Sequence, residues 1–284
     1  MWLHRRQETS SSTPSSAELS SHSGRSHSSS SSSAEASLST ATPTDQTSLP
    51  RPFDSSLGNN FTSPSCPEFF HSFLTNSSFK DCLPLSMLLQ TSNSFFSAEK
   101  SPVRLSQTLA ATCNVNFTIC SNVMASLAEQ IQWQSNCGQD FQYQNPVVLQ
   151  AYNALIAYPP LYHAGCLTDS DGNYCFANAV TNKSAPTGAY IYYLPLGVEL
   201  PAGTQPTCDK CLQNTMTIFA TAAGNSSLPL SKDYTSAAQT VDSECGPAFV
   251  ESSIAHTSPA ATLACPSALI AFIPLIIGIV NFLI

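Results

Sequence analysis

"TCDKCLQNTMTIF", residues 207–219, sets Cys208 and Cys211 three positions apart at the start of an amphipathic run. Such a pair has three chemistries: a redox dithiol, half of a zinc site, or two anchors for separate disulfides. A redox site needs a strand leading into the motif and a helix N-terminus that stabilises the thiolate. The helix start is present, but "LPAGTQPT" at 200–207 is loop sequence. A structural zinc needs a second ligand pair of similar spacing, and the chain has none. The surroundings therefore favour separate structural disulfides.

Working outward, the other cysteines agree. Ten fall between residues 66 and 245, namely Cys66, Cys82, Cys113, Cys120, Cys137, Cys166, Cys175, Cys208, Cys211 and Cys245, and the eleventh, Cys265, lies in an apolar tail. An even number spread along one region is the mark of a disulfide framework made in an oxidising compartment. The connectivity stays open, since eight cysteines already allow 105 pairings and ten allow roughly nine times as many.

Asparagine supplies a second signal. Asn-x-Ser/Thr acceptors without a middle proline occur at Asn60, Asn76, Asn116, Asn182 and Asn225. One such triplet arises readily by chance, but five beside ten cysteines imply passage through the secretory pathway, with each glycosylated position facing solvent.

The composition divides the chain of 284 residues into four parts. Residues 1–65 are Ser/Thr-rich, with "SHSSSSSSAEAS" at 26–37, and carry too few large apolar groups to offset the entropy of ordering a backbone, so a disordered arm is expected. Residues 66–250 hold all nine tyrosines and suffice for one cysteine-rich globular domain burying roughly 70% of its unfolded surface. Residues 251–263 form a small, polar spacer, and residues 264–284 a hydrophobic segment with no charged side chain. A stop-transfer helix has basic residues on its cytoplasmic flank, whereas no Lys or Arg follows Lys232. Small residues, a spacer and an apolar end match a glycosylphosphatidylinositol (GPI) attachment signal, with Ser253 as the attachment residue and Ser252 and Ser258 as alternatives. A retained membrane helix is the competing reading of this tail. "MWLHRRQETSSST" lacks an apolar run, so a secretory signal is expected upstream of it, with Arg5-Arg6 as a dibasic processing site; targeting by the C-terminal segment alone is the alternative.

Periodicity gives a mainly α fold (α+β), a disulfide-stapled helical domain with one β-hairpin. Helix starts are expected at Cys66-Pro67, at Ser101-Pro102 and at Asn145-Pro146, where proline occupies the first turn. Ile119, Val123, Leu127 and Ile131 recur at steps of four, a helical stripe. Cys113 and Cys120 lie one heptad apart and share a face if one helix covers both. Pro159-Pro160 is expected to end the helix that starts at Asn145. "NYCFANAV" (173–180) and "AYIYYLPL" (189–196) are aromatic and β-branched, separated by turn residues, and predict the hairpin. Two further helices are expected near 208–222 and 233–245, the latter with Tyr234, Ala238, Val241 and Cys245 on one face.

Other chemistries find little support. "DSDGN" at 169–173 begins like a calcium loop, but Tyr174 and Val180 stand where Gly and Glu are required, so it reads as a turn. No G-x-S-x-G occurs, and the domain's two histidines, His71 and His163, have no visible partners for catalysis. Tyr190, Tyr192 and Tyr193 could stack on carbohydrate, although core packing explains them as well. Residues 66–250 hold six basic side chains against twelve carboxylates, without a basic cluster, which argues against nucleic acid as a partner. No cofactor or metal is expected.

The succession "CPEFF", "CLPLSMLLQTSNSFF", "CNVNFTIC", "QNPVVLQAY", "YCFANAVTN", "YYLPLG", "CDKCLQNTMTIFA" and "CGPAFV" resembles a family of fungal cysteine-rich secreted or GPI-anchored proteins defined by a domain of unknown function. The resemblance spans about 66–250 and implies a fungal cell-surface protein without known catalytic residues. The expectation is a non-enzymatic, GPI-anchored glycoprotein on the outer face of the plasma membrane or wall. It would be structural, adhesive or ligand-binding, its partners being the membrane through a lipid anchor and a wall glycan or small apolar ligand. The alternatives are a surface enzyme cleaving wall glycans through paired carboxylates, and a helical lipid- or sterol-binding domain with a closed pocket.

Overall fold

A computed structural model describes residues 48–254. The Ser/Thr-rich stretch before them, the hydrophobic segment 264–284, Cys265 and Ser258 lie outside the described residues. The described chain is built from α1 (Ser65–Thr75), α2 (Ser77–Lys80), α3 (Leu85–Thr91), α4 (Asn93–Glu99), α5 (Pro102–Cys113), α6 (Phe117–Gln130), α7 (Gly138–Gln142), α8 (Pro146–Ile156), α9 (Tyr158–Gly165), α10 (Cys175–Thr181), a 3-10 helix (Gly188–Leu196), α11 (Lys210–Ala223) and α12 (Leu230–Cys245).

The starts follow local chemistry. Ser101 accepts from the Arg104 N–H and Pro102 opens α5, while Asn145 accepts from the Val147 N–H and Pro146 opens α8. These are capping side chains followed by a residue whose missing N–H costs nothing in the first turn. Pro159 and Pro160 play the same part at the start of α9, so they open a new helix instead of merely ending the previous one. Cys113 and Cys120 do not share a face. Asn114–Asn116 separate α5 from α6, and Asn116 caps the latter through the Ile119 N–H.

All ten cysteines among the described residues are bridged. Cys66–Cys137, Cys82–Cys120 and Cys113–Cys166 staple the first half, and Cys175–Cys211 and Cys208–Cys245 staple the second. The two cysteines of the C-x-x-C stretch thus leave in opposite directions along the chain, Cys211 back to α10 and Cys208 forward to the end of α12. No bridge joins the halves, which meet through one core. There Phe95 stacks on Phe176 at 6.1 Å, Phe176 meets Tyr192 edge-on at 4.8 Å, and Tyr192 meets Phe219 at 6.5 Å.

The expected hairpin is absent; the described residues contain no strand, only an isolated bridge between Thr168 and Tyr174. "YCFANAV" forms α10 and "AYIYYLPL" lies in the 3-10 helix. In the latter, the buried Gly188, Ile191 and Leu194 recur every third residue, as do Tyr192 and Pro195. That is the 3-10 period, not the alternation of a strand. Pro195 has no N–H for a ladder, and a lone hairpin without further strands is marginal. Gly197 ends the helix at φ 78°, with Pro229 so close that a Cβ would lie 2.9 Å from its Cβ.

The fold begins before Cys66. Residues 48–64, counted with the arm on composition, pack on the domain. Phe53 meets Phe70 edge-on at 5.2 Å, and its N–H donates to the Thr91 carbonyl at 2.9 Å. Asp54 accepts from the N–H groups of Asn93 and Ser94 and the hydroxyls of Ser92 and Ser94, at the start of α4. Burial would raise the Asp54 carboxyl, but these donors outweigh it and leave it below the ordinary aspartate value. Further on, the fully buried Asp140 accepts from the N–H groups of Thr62 (2.7 Å) and Ser63 (3.2 Å) and from Asn145 Nδ2 (3.3 Å).

Candidate functional site

An open groove lies between α1 and α6. Two bridges set these helices side by side and antiparallel. Cys66–Cys137 and the Ser65 hydroxyl, which donates to the Asn136 carbonyl at 2.7 Å, tie the start of α1 to the turn beyond α6. Cys82–Cys120 ties the segment after α2 to the start of α6. Each helix has already spent one face on the core: Cys66, Phe70 and Phe73 from α1, Cys120, Met124 and Ala128 from α6.

A second face of each remains, and the two line an open groove of about 860 Å³. From α1 and its C-cap come residues 65, 68, 69, 72, 73 and 76; from α6 come residues 119, 122, 123, 126, 127 and 130. Both sets follow the same steps of three, one, three, one and three, which is one stripe of an α-helix. The groove spans about 16 Å along the axis, at about 1.5 Å per residue.

Its floor is apolar: Phe73 and Phe79 are buried and Phe69, Val123 and Leu127 half-buried, with the Phe69 and Phe73 rings 5.4 Å apart. Its rim carries hydroxyls and amides from Ser72, Asn76, Ser78, Asn122, Ser126 and Gln130. Ile119 and Trp133 stand out at opposite ends, 59% and 54% exposed. Glu68 supplies the one charge in the lining. The stripe of Ile119, Val123 and Leu127 thus lines this groove, and only Ile131 beyond it is fully buried.

The other candidates separate. Asp169 accepts from the N–H groups of Asp171 and Asn173 and from Asn178 Nδ2, with Gly172 at φ 83°, forming a turn before α10. The Asn173 N–H, then Asn178, hold its carboxyl below the ordinary value. Among the described residues no group of three or more His, Cys, Asp or Glu could hold a metal ion, and no helix is long and apolar enough to cross a membrane. His71 is exposed, and His163 packs 4.5 Å from Phe117. Tyr192 is buried with its hydroxyl 3.3 Å from Thr215 Oγ1, whereas Tyr190 is exposed and Tyr193 half-buried, so the three share no face.

Of the five acceptor asparagines, Asn60, Asn76, Asn116 and Asn225 are exposed and Asn182 is half-buried. Asn76, Asn116 and Asn225 each accept a backbone N–H on Oδ1, from Ser78, Ile119 and Ser227, and their Nδ2 atoms make no hydrogen bond among the described residues. Asn182 instead donates Nδ2 to Thr207 Oγ1 at 2.8 Å. Ser253 is exposed near the end of the described chain.

Residues 48–254 match a family described as "Domain of unknown function (DUF7729)", so the chain belongs to that family. No curated protein and no solved structure matches it.

Proposed function

We propose that this DUF7729 chain is a non-enzymatic, GPI-anchored glycoprotein of the fungal cell surface or wall. Its stapled domain is displayed outside the cell as a structural, adhesive or ligand-binding unit. The observation that carries this reading is that five bridges close every cysteine of the described domain, in a chain whose sequon asparagines are exposed at four of five positions. Such a framework is made and kept in oxidising compartments. A spacer holding Ser253 ahead of an apolar segment supports the anchor.

The groove supports binding over hydrolysis. Its single carboxylate, Glu68, gives no pair to act as acid and base. Being an open trough, it differs from the enclosed apolar cavity that a sterol carrier needs.

The test is expression of the chain, behind a cleavable secretion signal, in a fungal host. Staining of intact cells, release by phosphatidylinositol-specific phospholipase C, and a lower mass after N-glycanase are expected. Recovery from cytosol with reduced thiols and no glycan contradicts the proposal.

A further inference from the structure

We propose that the groove between α1 and α6 is filled by the chain's own N-linked glycan at Asn76, a neutral oligosaccharide of N-acetylhexosamine and hexose laid from Asn76 toward Trp133. The proposal rests on the secretory reading above. Attachment uses a polyprenyl-diphosphate-linked sugar donor. A bond forms from Asn76 Nδ2 to the sugar's anomeric carbon, the bond from that carbon to the diphosphate oxygen breaks, an amide proton passes to solvent, and polyprenyl diphosphate leaves.

Three observations argue for this occupant. Asn76 and its sequon partner Ser78 are themselves part of the lining, at the end of the groove opposite Trp133. Asn76 Oδ1 is taken by the Ser78 N–H at 2.8 Å, and Nδ2, the atom that carries a glycan, has no hydrogen bond among the described residues. The lining also suits the chemistry: a sugar ring has an apolar C–H face and a rim of hydroxyls, and the groove offers aromatic and aliphatic surface beneath a rim of Ser, Asn and Gln. A covalent tether holds the ligand at high local concentration, so weak contacts suffice.

The arrangement recurs elsewhere. Asn225, with Oδ1 taken by the Ser227 N–H, lines a recess of about 450 Å³ with Ile156, Pro159 and Ile218. Asn116, whose Oδ1 accepts from the Ile119 N–H, caps α6 three residues before Ile119, outside the lining itself.

Trp133 is the reporter, because the only other tryptophan is Trp2. The full chain carrying Trp2→Phe is expressed behind a cleavable secretion signal in a eukaryotic host, its sequons are mapped by peptide mass, and Trp133 is quenched with acrylamide. The glycosylated protein should be quenched about twofold less than its Asn76→Gln form, in proportion to the indole surface shielded from diffusing quencher. Ser78→Ala, and enzymatic trimming of the folded glycoprotein to one N-acetylglucosamine, should restore quenching, while Asn116→Gln should leave it low. Should one variant misfold, the trimmed protein still decides the matter. An empty Asn76 beside other filled sequons overturns the proposal alone, as does equal quenching of the intact and trimmed forms. So does protection of Trp133 by free chito- or gluco-oligosaccharide added to the intact glycoprotein, which would show a groove open to outside glycans. All five sequons empty with thiols reactive overturns the secretory reading as well.

Discussion

Asp140 holds the end of the N-terminal strap (residues 48–64) at Thr62 and Ser63, and its removal gives a calculable loss. Replacing it with alanine strips the acceptor from the Thr62 and Ser63 N–H groups and one of two acceptors from Asn145 Nδ2, which keeps the Asn60 carbonyl at 2.7 Å. Hydrogen bonds to a charged group are worth about 1.5–3 kcal/mol each. Against two or three of these stands the relief of no longer holding a carboxylate out of water, a few kcal/mol. The net loss is about 3 kcal/mol, or a Tm lower by about 6–12 °C for a domain of this size. Asp140→Asn keeps one oxygen acceptor and should lose about half of that. Calorimetry gives the magnitude and amide hydrogen exchange the location: protection should fall first at residues 53–63, with α11 and α12 unchanged. A change in Tm under about 2 °C for Asp140→Ala, with exchange unaltered, would refute the claim that this carboxylate fastens the strap.

Glu99, at the end of α4, is half-buried, and burial pushes its carboxyl up to about 7. Its neutral form is favoured in the fold, so the associated stability is present below about pH 4.5 and is lost as pH rises through 7. Glu99→Gln should therefore stabilise the protein by about 1 kcal/mol at pH 8, allowing for partial exposure, and by little at pH 4; equal effects at both would contradict this. Opening the 36-residue loop with Cys175→Ser/Cys211→Ser should cost about 3–4 kcal/mol in denaturant unfolding, against little change if that bridge does not form. Under mild reduction of the native protein, Cys208 and Cys245 should be alkylated first, since Cys208 is exposed whereas both Cys66–Cys137 sulfurs are buried. Gly138→Ala should cost about 2 kcal/mol, because a Cβ there would lie 2.7–2.9 Å from backbone atoms of Gln132 and Trp133. Circular dichroism melting would show it, and an unchanged Tm would mean the turn yields.

What the sequence reveals here depends on how local the cause is. The helices at Pro102–Cys113 and Pro146–Ile156 announce themselves through a Ser or Asn cap followed by proline. The 3-10 helix hides because its aromatic run has strand-like composition, and only burial exposes the three-residue period of Gly188, Ile191 and Leu194. The strap at 48–64 hides for another reason: its partners Thr91 and Asp140 lie 38 and 78 residues away from Phe53 and Thr62. The groove is half legible. Ile119, Val123 and Leu127 show an apolar stripe, but a stripe does not say what covers it. That α1 faces it follows from Cys66–Cys137 and Cys82–Cys120, pairings that spacing cannot assign.

The stapled framework holds each half of the domain together, and its decisive test is alkylation of the secreted full-length protein under denaturing conditions, with and without reduction, followed by a disulfide peptide map. None of the ten domain cysteines should react before reduction, and Cys208 should be recovered joined to Cys245 and Cys211 to Cys175. Reactive thiols at Cys208 and Cys211 in the unreduced protein, or a bond between the two, would contradict it.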